Sequence, residues 1–131
     1  MRTSETSHFW VGHFSSVQRM ADYFTEVYDE DDEDREHTPF SQFAGDQGAT
    51  WYDHDFLEYA YRDDCASVEE VVKGYSYHEQ WAAELARRAA EAGLTGINAV
   101  VFISEDQIDE PRSVHGDGYA LHYLGTITYR I

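Results

Sequence analysis

The sequence predicts an α+β fold: one compact domain over residues 1–131, in which a roughly four-stranded, mainly antiparallel sheet packs against helices. Apolar and aromatic stretches with the composition of strands alternate irregularly with stretches in which a serine or threonine precedes apolar residues at helical spacing. The length of 131 residues fits a single domain, and a hydrophobic share of 42% supplies the material for its core.

The first third of the chain predicts a strand followed by helices. Residues 8–14 are aromatic and β-branched and predict the first strand, which leaves residues 1–7 as a flexible, polar N-terminus. Ser15 and Gln18 have the spacing of a capping box and predict the start of a helix. A short second helix is expected at residues 39–44. The core-facing stripe of the first helix is expected to contain Val17, Met20, Ala21, Phe24, Val27 and Tyr28.

The remaining elements follow from alternation and from further capping patterns. In the second strand, near residues 56–61, Leu57 and its alternate neighbours are expected to be buried, while the opposite face meets a partner or a covering segment. Serines followed by glutamate three residues later predict a short helix after Ser67 and a long helix over residues 77–92. A nearly continuous apolar run at residues 97–103 predicts a central strand covered on both faces. A long loop at residues 104–118 and a last strand at residues 120–130 complete the fold.

The net charge of −17 limits the classes of partner. Such a surface repels phosphate backbones and anionic lipids, so direct binding to nucleic acid or membrane is not expected. The charge favours a basic protein partner or a cation, and it also arises where acidity serves solubility alone. The single cysteine excludes an intramolecular disulfide, and no apolar run has the composition of a signal peptide or a membrane span. The expected location is the cytoplasm.

No motif for catalysis or for cofactor binding is present in the sequence. It contains no phosphate-binding glycine loop, no nucleophile elbow and no histidine pair at zinc-ligand spacing, so we predict no catalytic residue, no metal and no cofactor. An alternative stays open. The carboxylates and histidine of residues 53–58 are of the types used in weak metal binding or acid–base chemistry, which would suit a small ligand- or metal-binding domain or an enzyme.

Two stretches are candidates for partner binding. Acids dominate residues 29–36, where like charges repel one another and predict a solvated loop; the loop would steer a basic partner. Residues 51–58 combine aromatics with fixed charges, which is typical of a binding surface but also of a turn whose aromatics anchor in the core. The predicted partner-binding residues are Asp29, Glu30, Asp31, Asp32, Glu33, Asp34, Trp51, Tyr52, Asp53, Asp55 and Glu58.

Several short aromatic motifs occur in an order that is similar to a known family. They are FWVGHF at residues 9–14, SQFA at 41–44, WYDHDFLE at 51–58, GYSY at 74–77 and LG at 124–125. Together they resemble the immunity protein 22 family of bacterial polymorphic-toxin systems, over residues 9–129. The resemblance implies a small cytoplasmic α+β protein that binds and neutralises a toxin domain. It implies no catalytic residues and carries over no binding residues.

Charge and resemblance agree on the kind of partner. A toxin that acts on nucleic acid needs a basic cleft for phosphates, so an acidic inhibitor suits a nuclease toxin. The second open interpretation, beside the ligand-binding or enzymatic one, is an interaction module whose basic protein partner is not a toxin.

Overall fold

The computed structural model describes residues 3–28, 38–63 and 67–131. In these ranges the chain forms one antiparallel sheet of five strands in the order β2-β3-β1-β5-β4. The predicted α+β class is confirmed, with one strand more than expected. The strands are β1 (Ser4–Phe14), β2 (Leu57–Tyr61), β3 (Ala99–Ser104), β4 (Val114–Gly116) and β5 (Tyr119–Arg130).

Helices cover both faces of the sheet. The helices of the described residues are α1 (Val17–Phe24), α2 (Gln42–Asp46), α3 (Val68–Val71) and α4 (His78–Glu91). On one face, α1 and α2 pack with Trp10 and Phe14 of β1; on the other, α3 and α4 pack with Phe9 and Val11. Successive residues of a strand point to opposite faces, so β3 is buried along its whole length. This confirms the predicted doubly covered central strand.

The N-terminal prediction is wrong for residues 4–7. These residues belong to β1 and pair with β5, from Ser4 opposite Arg130 to Ser7 opposite Ile127. Their polar side chains find partners across the ladder: the Thr6 hydroxyl lies 2.7 Å from that of Thr128. The polar end of a strand gives no apolar signal in the sequence, because its stability comes from pairing with the neighbouring strand.

The fifth strand lies inside the predicted loop of residues 104–118. β4 has three residues and forms a hairpin with β5 through a turn that contains Gly118, whose φ is 78°. Such a turn favours glycine because the left-handed region crowds a Cβ. A strand this short leaves no measurable alternation in the sequence, which is why it was not predicted.

The first helix is shorter than its apolar pattern predicts. Ser16, not Ser15, caps it: the Ser16 Oγ accepts a hydrogen bond from the Arg19 backbone N–H at 3.0 Å. α1 ends at Phe24, and Val27 and Tyr28 are 65% and 64% exposed. The predicted core stripe is therefore wrong for Val17, Ala21, Val27 and Tyr28, all of them exposed. The buried residues of the helix are Met20, Tyr23 and Phe24.

Two other helix starts differ from prediction, and one agrees. α2 is capped by Ser41, whose Oγ accepts from the Ala44 N–H at 3.1 Å, so the helix begins three residues later than expected. α4 has no side-chain cap, and Tyr77 before it adopts a left-handed φ of 58°. At α3 the predicted cap is confirmed: the Ser67 Oγ accepts from the Glu70 N–H at 3.2 Å.

Candidate functional site

The loop before β2 places two adjacent aromatics in opposite environments. Trp51 is 60% exposed, whereas Tyr52 is 1% exposed. The Tyr52 ring packs edge-on against Phe40, with centroids 4.8 Å apart, and against Phe43 at 5.7 Å. Its hydroxyl lies 3.3 Å from the Ser41 Oγ, and burial raises the Tyr52 pKa to about 12. Tyr52 therefore anchors the loop, while Trp51 faces solvent.

The acidic residues of the loop fix a short 3₁₀ turn at His54–Phe56. Asp53 caps the turn, because its Oδ1 accepts from the Asp55 N–H at 3.0 Å. The Asp53 N–H in turn donates to the side-chain oxygen of Gln107 at 2.8 Å. The Asp55 side chain is 80% exposed. The turn thus holds one carboxylate in a defined position and presents the other to solvent.

A histidine–glutamate pair connects this loop to the segment after α1. His54 Nδ1 lies 3.0 Å from a carboxylate oxygen of Glu26. The hydrogen bond with Glu26, and then its charge, raise the pKa of His54 above the ordinary value. The same carboxylate oxygen accepts a short hydrogen bond from the Tyr28 hydroxyl. Glu26 therefore holds both the loop and Tyr28.

Backbone bonds bring a third segment to the same place. The Val27 N–H donates to the Phe40 carbonyl at 2.7 Å, and the Phe40 N–H donates to the Thr50 carbonyl at 3.0 Å. The Phe40 ring lies 5.8 Å from the Tyr28 ring and 6.5 Å from that of Trp51. An exposed apolar and acidic patch results, which we call the Trp51 surface; its residues are Val27, Tyr28, Trp51, Asp53, His54 and Asp55.

Glu58 lies apart from this surface. It pairs in register with Phe102, which belongs to the core under α3 and α4, whereas Tyr52 belongs to the core under α1 and α2. The neighbouring residues of β2 follow the predicted alternation in part. Leu57 and Tyr61 pack against the α1 and α2 side, and Ala60 is covered on the other side. Tyr59 and Phe56 keep exposed fractions of 41% and 46%, although the Tyr59 ring stacks on Phe24 at 4.1 Å.

The acidic run, Asp29 to Asp34, lies outside the described residues, so the loop expected there stays a prediction. The chain on either side of it is described. Tyr28 precedes the run on the Trp51 surface, and Thr38 re-enters the described chain two residues before Phe40. The described chain therefore stops beside the Trp51 surface at Tyr28 and resumes near Phe40 at Thr38.

A carboxylate that the sequence did not single out lies close by, at the end of α2. Asp46 Oδ2 accepts hydrogen bonds from two tyrosine hydroxyls, Tyr23 at 2.8 Å and Tyr119 at 2.6 Å. Burial, and then the Asp46 charge, raise the pKa of Tyr23 well above its ordinary value; burial and the bond to Asp46 raise that of Tyr119 to about 12. These three residues are 23 and 73 positions apart, and no local pattern connects them.

Asp46 lines a groove of about 500 Å³ between α1 and α2. Elsewhere the surface carries smaller depressions. The groove is lined by Asp22, Thr25, Val27, Pro39, Phe40, Ser41, Gln42, Gly45 and Asp46.

Within residues 3–28, 38–63 and 67–131, no three or more histidine, cysteine or carboxylate side chains are grouped to hold a metal ion. The helices of these ranges also lack the combined length and apolar character needed to cross a bilayer.

Comparison with protein families places the chain among immunity proteins. The family model described as Immunity protein 22 matches residues 8–130, and the chain belongs to that family. Membership indicates toxin neutralisation as the general role and a toxin as the general class of partner, in a family that is generally not enzymatic. No curated protein and no solved structure matches the chain significantly. The resemblance drawn from the aromatic motifs is thereby confirmed.

Proposed function

We propose that this protein binds a cognate toxin domain through the Trp51 surface and thereby neutralises it in the cytoplasm. The observation that carries the proposal is the exposure of Trp51 on a loop that Tyr52 anchors in the core. Tryptophan is enriched among the residues that dominate binding energy, and a side chain on a fixed loop loses little freedom on binding. Asp53 and Asp55 supply charge at the edge of the same patch.

The partner we propose is basic, and a nuclease fits it best. The net charge of −17 accelerates association with a basic surface and disfavours direct contact with nucleic acid. A nuclease must accept phosphates and therefore carries a basic cleft. The acidic run of residues 29–34 follows Tyr28 directly in the sequence, so charge that attracts a basic cleft is covalently attached to an aromatic residue of the Trp51 surface. Glu58, on the other side of the sheet, contributes at most to the general field.

Co-expression with candidate toxins tests this proposal. Toxin C-terminal domains encoded next to this gene would be expressed with and without the protein, and complexes would be isolated by pull-down at several salt concentrations. We expect rescue of growth and a complex that forms more slowly and binds more weakly as salt rises. Rescue that is indifferent to salt would refute the electrostatic argument, and absence of rescue with every candidate would refute the immunity function for those toxins.

A pair of double variants locates the contact. Asp53→Asn/Asp55→Asn keeps a side-chain oxygen at position 53 to cap the 3₁₀ turn and removes two charges from the Trp51 surface. Glu69→Gln/Asp117→Asn removes two exposed charges elsewhere, so it serves as the matched control. The first variant should weaken toxin binding more than the second. Equal binding by the two variants would show that Asp53 and Asp55 act only through net charge.

A further inference from the structure

The groove between α1 and α2 has the composition of a receptor for one long basic side chain. Val27, Pro39 and Phe40 give it apolar lining, and Asp22 and Asp46 give it negative charge. Lysine and arginine have matching parts, since each carries an aliphatic stem and a cationic head.

Asp46 is held in place but keeps one oxygen available. Its Oδ2 accepts both tyrosine hydroxyls, and no donor among the described residues bonds to its Oδ1. The basic side chain of Arg19 bonds instead to the Asp117 carbonyl and to Gln42. No ion pair within the described chain neutralises the Asp46 charge. A fixed carboxylate of this kind binds an incoming cation at low entropic cost.

The groove is continuous with the Trp51 surface. Val27 belongs to both, and Phe40 lines the groove while its ring lies 6.5 Å from Trp51. A partner seated on Trp51 therefore lies beside the groove, and where it extends over the groove it excludes water from Asp46. Exclusion of water strengthens an ion pair, provided that the cation arrives with the partner.

We propose that the groove receives a lysine or arginine side chain of the toxin, with its stem against Val27 and Phe40 and its cation on Asp46 Oδ1. This proposal rests on the proposed function and adds the anchor that the partner must carry. Tyr23 and Tyr119 are positioning residues, because they orient the carboxylate and do not touch the partner. Asp22, whose Oδ1 accepts from the Gln18 side chain at 2.9 Å, adds to the negative field of the groove.

The first test is an affinity comparison on the intact protein with the toxin domain identified by rescue. Asp46→Asn keeps an oxygen for the two tyrosine hydroxyls and removes the charge. Glu69→Gln, exposed on α3 across the sheet, removes the same charge without touching the groove. We expect Asp46→Asn to raise the Kd by about 30-fold or more, as for a charged pair desolvated at an interface, and Glu69→Gln to raise it by less than about threefold. Equal affinities would overturn the groove proposal and leave the immunity function intact.

The second test needs no toxin. Acetyl-arginine amide and acetyl-lysine amide would be titrated into the wild-type protein and followed by NMR at the backbone amides of Gln42 and Gly45. Saturable, millimolar-range shifts are expected for the basic amides, not for acetyl-norleucine amide, and should disappear in Asp46→Asn. Shifts that persist in Asp46→Asn, or no preference over the norleucine amide, would overturn the proposal. If no toxin is neutralised, the proposed function fails separately, because this titration still decides the groove.

Discussion

The neighbouring residues Trp51 and Tyr52 allow the binding role to be separated from stability. A tryptophan can bury up to about 250 Å². Trp51 is 60% exposed, so about 150 Å² remains for a partner, which corresponds to about 4 kcal/mol at 25 cal/mol per Å². We therefore expect Trp51→Ala to weaken toxin binding by about 2–4 kcal/mol, a range that allows for the cost of ordering the interface.

Tyr52→Ala should instead lower the stability of the fold. Tyr52 is 1% exposed and packs on two phenylalanines, so its truncation leaves a cavity and should cost about 3–5 kcal/mol of unfolding free energy. Trp51→Ala should cost at most about 2.5 kcal/mol of stability, because only about 100 Å² of its side chain is covered in the folded protein. Urea unfolding measures the stability of both variants, and calorimetric titration with the toxin measures their binding affinity.

A third aromatic provides the control. Tyr77 is 42% exposed and packs against Tyr129, on the α3 and α4 side. Tyr77→Ala should leave toxin affinity within about threefold of wild type, since an interface centred on Trp51 does not reach it. If Trp51→Ala binds the toxin as tightly as wild type while Tyr77→Ala does not, the binding face has been assigned to the wrong side of the sheet.

Three further predictions concern pH and packing. Glu26→Gln should lower the His54 pKa toward 6.5 in an NMR titration, and an unchanged pKa would contradict the pairing. Because the folded-state pKa of His54 is raised, the stabilisation by the Glu26 bond is complete below the unfolded-state pKa and is lost as pH rises through the folded-state pKa. The Tyr119 pKa of about 12 exceeds the unfolded value of 10.0, so stability should fall with rising pH across that window, and less steeply in Tyr119→Phe; equal slopes in urea unfolding would argue against it. Gly12→Ala should cost at least about 3 kcal/mol in the same assay, because its Cβ would lie 1.9 Å from the Ala120 carbonyl oxygen, and near-wild-type stability would refute this close approach.

The sequence predicted the parts of the fold that depend on apolar pattern. The continuous apolar run of β3 corresponds to buried positions, as expected. The alternation in β2 holds only in part, because Leu57 and Tyr61 are half-buried and Tyr59 is exposed. The features that were missed depend on tertiary partners instead. Residues 4–7 form a strand because β5 extends beside them, and α1 ends at Phe24 because the following backbone bonds to Phe40. Neither partner is evident from local sequence.

The candidate site was predicted in part for the same reason. Trp51, Asp53 and Asp55 do lie together on the surface. Composition indicated the whole stretch, but it did not distinguish the exposed Trp51 from the buried Tyr52, because a turn has no fixed periodicity. Asp46 gave no signal, since its two tyrosine partners come from α1 and β5.

Hydrogen exchange of the toxin complex would show whether the toxin binds at the Trp51 surface, because it maps the covered face residue by residue. We expect slower exchange on toxin binding at residues 24–28 and 39–56, which include the Trp51 surface and the groove, with little change along α4. Protection confined to α3 and α4, with residues 39–56 unchanged, would contradict the assignment of the binding face.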